Sequence, residues 1–225
     1  MINIKVGETT ELRIYDGGPF DVRQFEPAYT NALMDLAQEA FPGENPEIIV
    51  VKDFLGHELH ASLWTHKSLI GAASRQTTQF EWREQRLKAL YMCSAAIFRR
   101  WQGWGMSCHF YGPIFDKVQP DMVATTTKAA AIYFQMYKLS RDMGLILSCT
   151  KDGKILHNAF ELGQMILEKT ERNAGQLDFQ LVRRGYLPYA GEIDRFDLFD
   201  SLSINPQDGV LLIAAKPEVW NLKEV

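Results

Sequence analysis

The chain has 225 residues, and its 24 Lys and Arg against 28 Asp and Glu leave a formal net charge of −4. This length suits one large domain or a domain with an appended lobe, and the acidic balance without a dense basic run excludes a nucleic-acid footprint. The apolar runs are far shorter than a bilayer span, and the N-terminus lacks a basic-then-apolar signal region. We therefore expect a cytoplasmic protein with no membrane partner.

The first half of the chain is predicted to be a β-α unit followed by strands. Residues 11–16 have strand character and are ended by Gly17-Gly18, and residues 26–41 carry apolar side chains at helical spacing up to Pro42-Gly43. Residues 48–54 fit a short helix or a strand, and this alternative stays open. Three antiparallel strands are predicted next, over residues 60–64, 68–77 and 87–98, with a turn at 65–67 and a polar stretch at 79–86.

The second half of the chain alternates between helices and strands. Gly144 ends one of the helices, and residues 177–186 have mixed character. There are no internal repeats and no long linkers. Helices are predicted over residues 106–118, 128–143 and 155–170, and buried strands over 121–127, 145–149 and 209–215.

The cysteine and histidine patterns argue against a metal site. Cys93, Cys108 and Cys149 are odd in number and widely spaced, so neither a disulfide framework nor a zinc knuckle is indicated, and we expect reduced core thiols. His57 and His60 have HxxH spacing, but no predicted helix places them on one face. We predict no metal.

The segment Arg100-Trp101-Gln102-Gly103-Trp104-Gly105-Met106 lies where a buried strand passes into a helix. A helix start has unpaired N–H groups and a partial positive charge, which a diphosphate satisfies. Gly103 and Gly105 allow a tight turn and close approach of a phosphate. A dinucleotide fingerprint fails because Cys108 replaces the third Gly, and a P-loop fails because Met106 follows Gly105. A plain tight turn remains the alternative.

The order of elements resembles the GNAT superfamily of N-acetyltransferases over roughly residues 11–145. Arg100, Gly103 and Gly105 match that superfamily's Q/RxxGxG/A acyl-CoA motif position by position. Residues 68–71 (SLIG) resemble the "dGxivG" entry to its third strand. Ala129 with Tyr133 resembles the "AxxxY" on the helix after its fifth strand.

The resemblance implies an α/β (α+β) fold with a GNAT-like mixed, mostly antiparallel sheet flanked by helices. Residues 1–150 would form the acyl-CoA-binding core. Residues 151–225 would form a C-terminal helix-strand extension packed on the same domain. The superfamily commonly has an Asn just after the fifth strand, where Thr127 and Lys128 stand here. An Arg183-Arg184-Gly185-Tyr186 string occurs later than the family pattern expects, so the extension is either a cover or a recognition lobe.

The resemblance also implies where the cofactor, acetyl-CoA or another acyl-CoA, would bind. In the superfamily the fourth and fifth strands splay apart, and the pantetheine arm pairs with the fourth. A strand N–H near Ser94 or Ala95 would polarise the acyl carbonyl. The expected cofactor-binding residues are Ser94, Ala95, Ala96, Ile97, Arg100, Trp101, Gln102, Gly103, Trp104, Gly105 and Met106.

The implied reaction is direct attack of a deprotonated amine on the acyl-CoA. By resemblance, Tyr133 is the acid that protonates the CoA thiolate; the alternative is a core aromatic, with Tyr137 packing one turn later. Glu84 is the expected base, with Glu81, His66 and His109 as alternatives. Trp64, Trp82, Trp101, Trp104 and Phe80 are candidates to line an apolar acceptor pocket.

Three functions are consistent with these patterns. The first is an N-acyltransferase acting on a small-molecule or peptide amine. The second is a non-catalytic acyl-CoA-binding sensor or interaction module of the same fold. The third is a structural α/β domain whose glycine turn binds nothing. Whether the chain forms a homodimer stays open.

Overall fold

The computed structural model describes residues 1–66, 68–170, 176–185 and 197–220. The chain forms two compact units. The first contains Met1–Gln76 and Met92–Gln119, and the second contains Thr77–Tyr91 and Pro120–Val225. The division predicted at residue 150 thus falls inside the second unit.

The first unit contains an antiparallel sheet with helices. The elements are β1 Ile2–Lys5, β2 Thr10–Asp16, α1 Pro27–Ala40, α2 Pro46–Ile49, β3 Leu59–Thr65, β4 Ser68–Trp82, β5 Gln85–Ile97 and α3 Cys108–Val118. The strands pair in the order β1-β2-β3-β4, each antiparallel to its neighbour, and β5 lies next to β4. The last residues of β4 and the first residues of β5 belong to the second unit.

Helix α1 forms because its apolar residues repeat at helical spacing and Pro27 occupies its first turn. Its buried residues Tyr29, Leu33, Leu36 and Ala37 lie on one face and join the core of the first unit. Burying a leucine side chain fully is worth about 2 kcal/mol, so this face holds α1 on the sheet.

The segment over residues 48–54, left open by the sequence, is helical. Helix α2 begins after Asn45, whose side chain accepts a hydrogen bond from the Glu47 N–H, and a π-helical turn over Val50–Phe54 extends it. Ile49, Val50 and Phe54 are buried in the same core as α1. Tertiary packing therefore overrides the strand preference of the β-branched residues.

A tight hairpin joins β4 and β5 within the second unit. Arg83 and Glu84 form its two-residue turn, with φ values of 48° and 68°, which is the conformation of a type I′ turn. Phe80 and Trp82 are buried while Glu81 is exposed, so the alternation continues to the turn. The polar stretch predicted over 79–86 is therefore mostly strand.

The second unit is built around the last strand of the chain. All seven residues of β10 are buried, and β10 pairs antiparallel with β6, β7 and β9, while β6 is parallel to β5 and β8 pairs with β9. Helices α4 and α5 pack against β10. The elements are β6 Met122–Thr127, α4 Ala130–Asp142, β7 Ile146–Leu147, α5 Ala159–Lys169, β8 Gln176–Leu177, β9 Val182–Arg184, α6 Asp197–Ser201 and β10 Gly209–Ala215.

The predicted fold class is confirmed: the sheet is mixed, mostly antiparallel, and carries helices. The helices predicted over 26–41, 128–143 and 155–170 correspond to α1, α4 and α5. The strand predicted over 145–149 is wrong in extent, because only Ile146–Leu147 pairs with β10 as strand. Tyr186, the end of the predicted Arg-Arg-Gly-Tyr string, lies outside the described residues.

Strands β4 and β5 approach closely at Gly71. The Phe98 N–H donates to the Ile70 carbonyl at 3.0 Å. A Cβ atom at position 71 would lie 2.5 Å from the Ala96 carbonyl oxygen and 2.9 Å from Ile97 Cγ1. Both neighbours belong to a packed strand, so only glycine fits without moving the end of β5.

We predict that Gly71→Ala lowers the free energy of unfolding by about 1–3 kcal/mol, because the new methyl group overlaps the backbone of β5. Chemical denaturation of the purified variant measures this change. Gly112→Ala is the matched control, since a Cβ there meets no atom within 4 Å and alanine favours the helix that contains it. Equal stability of the two variants would contradict the close approach.

Candidate functional site

The predicted strand–glycine turn–helix segment is confirmed in the first unit. Strand β5 ends at Ile97, a 3-10 turn spans Arg99–Trp101, and α3 begins at Cys108 after the glycine loop. The parallel register of β5 with β6 consists of Ala89↔Met122, Leu90↔Val123 and Tyr91↔Ala124. From Met92 onward β5 belongs to the first unit.

The glycine loop contains two residues with left-handed backbones. Gly103 and Gly105 have φ values of 79° and 70°, in the region that favours glycine. Among the residues that the structure describes, the N–H groups of Gly103, Trp104, Gly105 and Met106 have no hydrogen-bond partner. The loop thus presents four consecutive donors.

Open space surrounds the two loop glycines. A Cβ atom at Gly103 or Gly105 would meet no atom within 4 Å. The glycines are therefore required by the left-handed backbone and not by crowding from the protein. The loop also leads directly into α3, because the Gly105 carbonyl accepts from the Cys108 N–H at 3.0 Å. The partial positive charge of the α3 N-terminus adds to that of the four donors.

Several contacts hold the loop to the rest of the first unit. The Gln102 side chain donates from Nε2 to the Ile97 carbonyl at 2.8 Å. The Glu39 carboxylate on α1 accepts from the Arg99 N–H, and Trp101 packs against the core that contains α1. Arg100 is exposed, with its guanidinium 4.6 Å from the Phe98 ring centroid. A cation thus lies beside the loop.

The predicted cofactor-binding residues form one continuous stretch from β5 to the loop. Ser94 and Ile97 are half-buried, Ala95 is exposed and Ala96 is buried. Trp104 is 72% exposed, so it contributes to the loop surface and not to the core.

Tyr133, the predicted acid, lies on α4 in the second unit. Its side chain is buried, and its hydroxyl is 3.5 Å from the Cys149 carbonyl oxygen, to which it donates. Burial raises the pKa of Tyr133 to about 12, with smaller effects from Cys149, Tyr137 and Asp152. The phenol therefore keeps its proton across the physiological pH range.

Glu84, the predicted base, is the second residue of the β4–β5 turn and is exposed. It precedes the first residue of β5, whereas Ser94 lies near the other end of that strand. Of the alternatives, Glu81 and His66 are exposed, and His109 is half-buried on α3.

His60 is a core histidine. Its side chain is fully buried, and its Nε2 is hydrogen-bonded with the Tyr29 hydroxyl. Burial lowers the pKa of His60 to about 3, so the ring is neutral at physiological pH. Among the described residues no group of three or more His, Cys, Asp or Glu side chains is placed to hold a metal ion; the absence of a metal stays a prediction.

Two buried arginines were not identified by sequence patterns. Arg75 on β4 is 1% exposed and Arg183 on β9 is 0% exposed. Arg183 donates from Nη1 to the Tyr91 hydroxyl at 3.1 Å and to Thr126 Oγ1 at 2.9 Å, all within the second unit. The only sequence signal for Arg75 is a cation at the end of the apolar run Leu69-Ile70-Gly71-Ala72-Ala73.

A pocket of about 730 Å³ lies in the first unit beside α1. Of the aromatic residues predicted to line an acceptor pocket, Trp64 lines this one, whereas Phe80 and Trp82 belong to the second unit. Both charge signs face the pocket, with Glu26 and Asp35 from the α1 side. The remaining lining residues are Arg13, Ala28, Tyr29, Ala32, Gln38, Glu39, His66, Ser68, Leu69, Phe98 and Arg100.

No protein-family model and no curated protein matches the chain. Solved structures do match. The ribosomal-protein-S18-alanine N-acetyltransferase from Escherichia coli has 11% sequence identity and a TM-score of 0.45, with 91% of this chain and 94% of that chain covered. An acetyltransferase from Bacillus subtilis in complex with CoA has 16% identity and a TM-score of 0.43, with coverage of 90% and 97%.

A GCN5-related N-acetyltransferase from Kribbella flavida also matches, with 13% identity, a TM-score of 0.42, and coverage of 76% of this chain and 46% of that chain. These are likenesses of fold alone. Separately, among the helices of the described residues, none is both long and apolar enough to cross a membrane.

Proposed function

We propose that this chain is an N-acyltransferase that transfers an acetyl or other acyl group from acyl-CoA to an amine. The observation that carries the proposal is the glycine loop after β5, where Gly103 and Gly105 have left-handed backbones and four consecutive N–H groups have no partner among the described residues. Four donors at the start of α3, with Arg100 beside them, match a diphosphate in charge and in hydrogen-bonding capacity.

The same segment provides a place for the acyl end of the cofactor. With the diphosphate on the loop, the pantetheine arm extends back along residues 93–97 of β5 and pairs with the strand backbone. Small residues at Ser94 and Ala95 admit this approach. An N–H of this stretch then polarises the thioester carbonyl, as in an oxyanion hole.

The transfer requires one bond to form and one to break. The amine nitrogen attacks the thioester carbon, the C–S bond breaks, and its electron pair stays on the CoA sulfur. The proton lost by the amine goes to water, because Glu84 precedes the first residue of β5 whereas residues 93–97 form the other end of that strand, out of hydrogen-bond reach. The Tyr133 hydroxyl stabilises the leaving thiolate, and its pKa of about 12 favours donation of a hydrogen bond over complete proton transfer.

The acceptor is proposed to be a small-molecule or peptide amine. A deprotonated amine attacks a thioester directly, so the acyl group is transferred without a covalent enzyme intermediate. The non-catalytic alternative, an acyl-CoA sensor of the same fold, keeps the cofactor site and lacks turnover, so the tests of binding and of turnover separate the two.

Binding is tested by titration calorimetry with acetyl-CoA and with CoA. We predict that Gly105→Glu weakens binding at least about tenfold, because a carboxylate enters the diphosphate position and the left-handed backbone disfavours a side chain. Gly43→Glu is the matched control: Gly43 is also exposed, has a φ of 93° and has no atom within 4 Å of its Cβ position.

The two glycine variants carry the same charge change and the same kind of backbone strain. Equal binding by both, in protein that keeps its circular dichroism spectrum, would count against the glycine loop as the diphosphate site. Absence of binding by the unmodified protein would remove the acyltransferase and the sensor together.

For Tyr133→Phe we predict a fall in kcat of about ten- to a thousandfold at unchanged CoA affinity, because the variant keeps the ring and loses only the hydroxyl. Steady-state release of free CoA thiol with an amine acceptor measures kcat, and calorimetry measures affinity. Tyr137→Phe, one turn later on α4 and 54% exposed, is the control. Full activity of Tyr133→Phe would mean that Tyr133 is a core aromatic residue without a catalytic role.

A further inference from the structure

Arg75 is a fully buried cation, and three of its five N–H groups have no hydrogen-bond partner among the described residues. Its Nη1 donates to the Ser74 carbonyl at 2.7 Å and to the Ser94 carbonyl at 3.0 Å. Its Nε and Nη2 are buried and have no hydrogen-bond partner. Within the described part of the chain, no Asp or Glu carboxylate pairs with this guanidinium.

Two ionisable groups, Tyr111 and Cys93, act on the charge of Arg75, and neither is a carboxylate. The Tyr111 ring on α3 lies 5.5 Å from the guanidinium carbon, and burial raises the pKa of the Tyr111 phenol, so the phenol is uncharged. Burial lowers the pKa of Arg75 itself, but a guanidinium stays protonated in proteins. A buried charge without a partner is strongly destabilising, so an anion is a favoured neighbour.

The two unused donors have a defined geometry. Nε and Nη2 lie on one side of the planar guanidinium and donate in parallel, which is the arrangement that holds both oxygens of a carboxylate. Nη1, on the other side, is occupied by the two backbone carbonyls. Nη1 is hydrogen-bonded to the Ser94 carbonyl. The guanidinium therefore lies next to the stretch of β5 that the proposed function places along the acyl thioester.

We propose that Arg75 binds a carboxylate at the far end of the acyl chain, so that the preferred donor is the CoA thioester of a dicarboxylic acid. The inference rests on the proposed function, because it takes the acyl group to lie along residues 93–97. An acetyl group has no charge to offer Arg75, whereas a four-carbon chain with a terminal carboxylate supplies the missing anion.

The test compares two stable thioethers of CoA, S-(3-carboxypropyl)-CoA and S-butyl-CoA. Both carry four carbons and differ in the terminal carboxylate. We expect the unmodified protein to bind the carboxypropyl compound at least about tenfold more tightly by calorimetry. Arg75→Met should bring the ratio of the two affinities to about one. Arg75→Lys keeps the positive charge but cannot form a bidentate contact, so it should retain part of the preference for S-(3-carboxypropyl)-CoA.

The outcomes are distinguishable. Equal binding of the two thioethers by the unmodified protein, or a preference that survives in Arg75→Met, overturns the role of Arg75 while CoA binding still supports the acyltransferase. No binding of either thioether or of free CoA removes the proposed function as well. If Arg75→Met does not fold, the ratio in the unmodified protein and its change in Arg75→Lys decide the question.

Discussion

The attachment of the end of β5 to β4 is the constraint on which the candidate site depends. Gly71 lets the Ala96 carbonyl approach within 2.5 Å of where a side chain would begin, and the Ile70 carbonyl accepts from the Phe98 N–H. From α1, Glu39 accepts from the Arg99 N–H. These contacts fix the direction in which the chain leaves the strand, so the glycine loop begins from a rigid support.

Local electrostatics in the first unit differ from the charge of the whole chain. The formal net charge is −4, yet the loop gathers four unpaired N–H groups, a helix N-terminus and Arg100, and Arg75 lies buried beside Ser94. Positive groups without protein partners are costly unless a ligand pairs with them. Their concentration along a single segment gives that segment a positive character that the net charge of the chain does not show.

The parts of the fold that followed from sequence are those governed by near neighbours in the chain. The apolar spacing of α1 and α4, the uniformly apolar β10, and the glycines between β5 and α3 each contain their own signal. The turn at Arg83 and Glu84 has no such signal in the sequence. Both residues have positive φ, but neither is a glycine or an asparagine. Residues 48–54 were ambiguous because β-branched residues pack there as a helix.

The sequence by itself determined the strand–glycine loop–helix segment and the type of ligand it suits, since the conformational freedom of Gly103 and Gly105 is a property of those residues alone. Only the tertiary structure decided that Arg75 is buried and unpaired, that Tyr133 is shielded enough to raise its pKa, and that Glu84 stands at an exposed turn. Burial and pairing depend on residues distant in the chain, which no local pattern encodes.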